Sequence, residues 1–134
     1  MMISTRGRYA LRVMIDLGEH QGAGLIPMKD VAERQGISLK YLEKILPVLS
    51  KNQYIEGTHG KGGGYRLARA PEDCKVGDIL RLTEGGLTPV SCPECFGETC
   101  ERRDNCPTIQ LWKGLDQVVN QYLDQFTLAD LIKK

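Results

Sequence analysis

The chain has 134 residues, of which 41% are hydrophobic and 26% charged, and its formal net charge is +1. That length holds one domain, or a small core with an appendage, and excludes a catalytic barrel or a two-domain dinucleotide enzyme. No apolar run approaches the roughly 18 residues that span a bilayer, and MMISTRGRYALRV lacks the apolar stretch of an export signal, so a cytoplasmic protein with no membrane partner is expected.

Tyr9, Ala10, Val13, Met14 and Leu17 recur at helical spacing behind Ser4 or Thr5, either of which can cap a first helix; Gly22 and Gly24 break it. MKDVAERQ (28–35) predicts a short second helix that buries Val31 and Ala32 and stops at Gly36. Ser38 is placed to cap a third, LKYLEKILPVLSKN, with an apolar stripe of Leu39, Leu42, Ile45 or Leu46, and Leu49. Pro47 lacks a backbone donor and is expected to kink or divide that helix. After Asn52 the period shortens: YIEGT and YRLA are strand-like, and HGKGGG between them predicts a flexible cationic tip. VGDILRLT (76–83) predicts a fourth helix, ended by Gly85 and Gly86.

A loop rich in Pro, Gly and charge (91–107) then carries four of the five cysteines, Cys92, Cys95, Cys100 and Cys106. A long helix over 108–126 follows, with apolar positions Ile109, Trp112, Leu115, Val118, Val119, Tyr122, Leu123 and Phe126. Thr127, with Asp130 three residues on, marks a capping-box start for a last turn. No internal repeat or low-complexity tract is present.

The small net charge hides an asymmetry. Residues 1–69 hold eleven Lys and Arg against six Asp and Glu, whereas residues 70–134 hold seven against eleven. A basic first half suits a polyanionic partner, although a solvated surface gives the same count. Two helices joined through Gly36–Ile37–Ser38, followed by a hairpin with a glycine-rich basic tip, describe a winged helix-turn-helix. The expected architecture is therefore mainly α with a small β-hairpin wing. It divides into a DNA-binding part (1–69) and a sensor and dimerisation part (70–134).

The third helix would present Lys40, Tyr41, Glu43 and Lys44 to a major groove, Lys and Tyr to phosphates and Glu43 to a cytosine amino group. His59, Gly60, Lys61 and Gly62 would lie along a minor groove. Arg6, Arg8 and Arg12 would add charge toward the backbone. A bundle with merely solvated charges is the plainer alternative. The long helix carries more apolar stripe than one small domain can cover, which points to pairing across a two-fold axis.

ISTRGRYALRVMIDL, VAERQGISLKYLEKIL, GGGYRLA and the closing TLADLIKK together resemble the IscR-type (iron–sulfur cluster regulator) family of winged-helix transcription regulators. The resemblance implies a homodimer bound to double-stranded operator DNA, with contacts from Ser38, Lys40, Tyr41, Glu43 and Lys44 and from His59, Gly60 and Lys61 on the wing. The family commonly has Arg where this chain has His59.

Clustered thiolates suit an iron–sulfur cluster or zinc. Only Cys92–Cys95 has the short C-x2-C elbow typical of four-cysteine zinc sites, and the wider gaps suit a bulkier cluster. The resemblance implies three cysteine ligands, and Cys92, Cys100 and Cys106 match them, with a first gap of seven residues where five is common. The usual fourth ligand in the best-known branch is a His three residues after the last cysteine; that position is Ile109, which leaves Cys95 as the candidate. A [2Fe–2S] cluster is favoured, and a three-cysteine [4Fe–4S] cluster is also compatible. Structural zinc, metal-free redox thiols, or a cluster-free regulator of sulfur or cysteine metabolism are the competing readings. Cys74 stands apart and is expected to be a small buried hydrophobe. No Cys–His couple or redox-tuned C-x-x-C is evident, so no enzymatic activity is expected.

Overall fold

Helix α1 (Thr5–Glu19) starts where the Ser4 hydroxyl accepts from the Gly7 amide at 3.4 Å. Its inner face buries Ala10, Val13, Met14 and Leu17 completely. The computed structural model describes residues 3–58, 62–87 and 107–132. Helix α2 (Met28–Gln35) ends at Gly36, whose φ of 64° is a left-handed cap that glycine adopts without strain. The amides of Gly36 and Ile37 both return to the Ala32 carbonyl, and Ile37 drops into the core beneath the turn.

Helix α3 (Leu39–Lys51) is capped by Ser38, whose hydroxyl accepts from the Tyr41 amide at 3.1 Å. It runs through Pro47 as one helix rather than two. Pro47 and Glu43 both lie on the exposed side, so the carbonyl that loses its helical donor is on the side open to water. Leu42, Ile45, Leu46 and Leu49 are buried, whereas Leu39 is not.

Strands β1 (Ile55–Thr58) and β2 (Gly64–Leu67) pair antiparallel, with Ile55 opposite Leu67 and Thr58 opposite Gly64. Ile26 adds an isolated bridge to Tyr65, its amide and carbonyl each bonded to Tyr65 at 2.9 Å. Gly64 therefore belongs to the sheet and not to a loose tip. A Cβ there would lie 2.6 Å from the Ile26 carbonyl, so glycine permits the close approach.

A 3-10 turn (Pro71–Asp73) leads to helix α4 (Val76–Glu84), closed by Gly85 at φ 77°. Helix α5 (Ile109–Asp124) stops two residues short of the expected 126, because Gln125 and Phe126 tighten into turns on Tyr122 and Leu123. That turn lets the Phe126 carbonyl accept from the Val76 amide at 3.0 Å and the Cys74 carbonyl accept from Leu128 at 2.9 Å. Helix α6 (Leu128–Leu131) carries the expected Thr127–Asp130 capping box. Leu128 and Cys74 are both fully buried, in the same core as α1, α2, α3 and the hairpin. Apolar packing thus crosses the division at residue 69. A second cluster, Val76, Leu80 and Leu87, joins α4 to Leu123 and Phe126.

Candidate nucleic-acid interface

Helix α2, the Gly36–Ile37–Ser38 turn and helix α3 make the helix-turn-helix, and β1–β2 stand beside it as the wing. Ser38 is exposed, and its hydroxyl oxygen accepts from the Tyr41 amide in the cap while its O–H keeps the capacity to donate. Lys40, Glu43 and Lys44 are exposed along one side of α3, and Lys40 and Lys44 form no ion pair among the described residues. Two uncommitted ammonium groups near a helix start can meet phosphates, while Glu43 can only accept.

Tyr41 is half-buried and packs edge-on against Tyr9, ring centroids 5.3 Å apart. Arg12 reaches over the Tyr9 ring and binds the Gln35 side chain and carbonyl, so it braces α1 against α2 instead of projecting freely. Arg6 and Arg8 are exposed in the first turn of α1, Arg8 donating to the Thr5 hydroxyl at 3.3 Å. His59, Gly60 and Lys61 lie outside the described residues, as do Cys92, Cys95, Cys100 and Cys106. Among the described residues, no group of three or more His, Cys, Asp or Glu could hold a metal ion. Cys74 is sealed in the core, where burial pushes its thiol above the ordinary value.

Three polar ties that periodicity does not reveal hold this surface in place. Asp16, 2% exposed, receives Arg34 Nε at 3.0 Å and Nη2 at 2.6 Å, and Gln35 Nε2 at 2.9 Å. The only sequence signal was a carboxylate between Ile15 and Leu17 in an apolar run. Arg81 on α4 grips α5 through both Asp124 oxygens at 2.8 Å and Asn120 at 2.9 Å, and also meets Asp78 at 3.0 Å. Glu84, at the end of α4, accepts from the Ser4 amide at 2.9 Å and hydroxyl at 2.6 Å. The two helices that flank the cysteine segment are therefore fastened to each other, and one of them to the start of α1.

A helix-turn-helix with a paired wing and an unneutralised cationic helix defines a winged-helix DNA-binding regulator. The family model described as Rrf2, iron-dependent transcriptional regulator, matches residues 3–134, and the chain belongs to that family. The protein rrf2 of Nitratidesulfovibrio vulgaris is 41% identical over 133 residues, 99% of this chain and 88% of that one. The structure of T. potens IscR superposes with a TM-score of 0.77 at 37% identity, covering 98% of this chain and 85% of its own. CymR, the global cysteine regulator of B. subtilis, superposes with a TM-score of 0.78 at 34% identity, covering 98% and 95%. The expected IscR-type resemblance and winged-helix fold are thus met, and the chain is a transcription regulator, not an enzyme. No helix among the described residues is long and apolar enough to cross a membrane.

Proposed function

We propose that the protein is a homodimeric, operator-binding transcription regulator whose DNA affinity is tuned by an iron–sulfur cluster. Cys92, Cys100 and Cys106 would hold the cluster, with Cys95 as fourth ligand. The observation that carries the dimeric part of this reading is the outer face of α5, while the cluster rests on the four clustered cysteines of the sequence. Leu111, Leu115, Val118 and Tyr122 are 62%, 42%, 62% and 59% exposed. Their spacing of four, three and four residues is a coiled-coil seam, and a second copy of the chain is its natural cover. A dimer built on that seam presents two α3 helices to successive turns of a duplex.

Operator contacts are assigned to Arg6, Arg8, Ser38, Lys40, Tyr41, Glu43 and Lys44, and to His59, Gly60 and Lys61 of the wing. Four thiols within fifteen residues form a soft donor set that fits a two-iron cluster, [2Fe–2S] ahead of [4Fe–4S]. When bound, the cluster supplies a ligand-ordering restraint that oxidants or iron shortage remove. The chain's own part is mechanical: Arg81 and Glu84 transmit the position of the cysteine segment's flanks to α5 and to α1, and so to the two reading heads.

A cluster-free regulator, with the cysteines as redox thiols or a zinc site, is the second reading. The similarity to CymR favours it, as does Ile109, which is buried at the position of the expected His ligand. The test is an anaerobic absorption spectrum with iron, sulfide and zinc analysis, followed by binding to duplexes selected from a random pool. The expected result is visible bands with matched iron and sulfide, and affinity that changes on cluster loss in wild type but not in the Cys92, Cys100, Cys106 triple Ser variant. A colourless protein that refuses reconstitution, or a triple variant identical to cluster-loaded wild type on every duplex, overturns the cluster reading and leaves DNA binding intact.

A further inference from the structure

Leu39 is 44% exposed, while Leu42, Ile45, Leu46 and Leu49 of the same helix are at most 1% exposed. At 100° per residue it lies between the buried face and the Lys40–Lys44 face, in line with Glu43 one turn on. Leu39 and Glu43 share a cleft of about 320 Å³ with Pro27, Met28, Leu46 and Thr58. The cleft opens between α3 and the end of the hairpin where Thr58 pairs with Gly64. Pro27, Met28 and Leu46 give the cleft apolar walls and Lys29 and Glu43 charged ones, and Leu39 stays open to solvent beside it.

We propose that Leu39 is a specificity-determining residue that reads the 5-methyl group of a thymine in the major groove. This rests on α3 being the helix that enters DNA, as argued above. A duplex seated on Lys40 and Lys44 and read by Glu43 lies beside Leu39, which opens the helix and sits about 40° round from Glu43 at the edge of the same exposed side. Leucine offers neither donor nor acceptor, and the thymine methyl is the apolar group on the major-groove edge. Leu39 and Glu43 stand about 6 Å apart along the helix, close to two base-pair steps. The thymine therefore lies within two steps of the base that Glu43 reads, and the pair of side chains recognises a short mixed apolar and polar motif.

The experiment uses the full-length protein and duplexes selected from a random pool, with thymines replaced one at a time by deoxyuridine. Wild type is expected to lose about fourfold in affinity at one thymine per half-site, the worth of one buried methyl. Leu39→Ala should bind the thymine and deoxyuridine duplexes equally, and Leu39→Met, which keeps an apolar tip, should restore part of the preference. Far-UV circular dichroism matched to wild type shows that the helices persist in both variants. No deoxyuridine effect in wild type, or an effect that survives in Leu39→Ala, overturns the proposal. Failure to bind any selected duplex instead overturns the reading of α3 as a DNA helix.

Discussion

Asp16 shows how one buried side chain ties two helices together, since Arg34 and Gln35 of α2 both donate to it from across the α1–α2 contact. Burial alone would raise its pKa, but the hydrogen bonds from Arg34 and Gln35 and the Arg34 charge outweigh it, so the carboxyl is held below the ordinary value of 3.8. A group whose folded pKa is depressed stabilises fully above its unfolded pKa, and that stability fades as pH falls through the folded one. Asp16→Ala is therefore expected to cost about 2 kcal/mol in urea denaturation at pH 7. The gap to wild type should shrink as the pH drops below 3.8. A gap independent of pH would mean that the ionised carboxylate is not what Arg34 holds.

Among the elements, the side-chain polar attachment of α5 to α4 in the described residues runs through the Arg81 guanidinium. Hydrogen bonding to Asp124 raises the Arg81 pKa further, so the charge is permanent. Arg81 and Asp124 are 30% and 36% exposed at the side chain, and water screens the pair. Arg81→Met should cost only about 1 kcal/mol overall. It should nevertheless speed amide exchange along residues 109–124 while leaving α2 and α3 unchanged. Equal exchange in both proteins would show that Leu123 and Phe126 alone seat the helix.

The boundaries of α1 to α4 were legible because apolar period and cap residues coincide at Ser4, Gly36, Ser38 and Gly85. Pro47 does not divide α3, because the carbonyl that loses its donor lies on the side open to water. Leu39 misled because an apolar residue at a helix start fits the stripe by spacing whether or not anything covers it. The candidate DNA helix was readable from Lys40, Glu43 and Lys44 on its exposed side. The bracing pairs Asp16–Arg34, Ser4–Glu84 and Arg81–Asp124 were not, since side chains 18, 80 and 43 residues apart leave no periodic trace.

For the molecule as a whole, the uncovered seam of α5 is the feature with the largest predicted effect. Val118→Glu places a charge in its middle without touching the core of one chain, since Val118 is 62% exposed. Sedimentation should report a dimer for wild type and a monomer for the variant. Binding to a two-half-site duplex should weaken about a hundredfold, because each head then binds alone. A variant that remains dimeric would place the contact between copies elsewhere.

The docking of α6 has a consequence for how the protein is made. Leu128 fills the core it shares with α1, α2, α3 and the hairpin, and its amide and the Phe126 carbonyl close hydrogen bonds with Cys74 and Val76. Emergence of the first 69 residues during synthesis therefore cannot yield a finished head, since part of its interior is still unmade. A nascent or clipped chain should stay loosely folded and silent at its operator, so that reading competence arrives late and all at once.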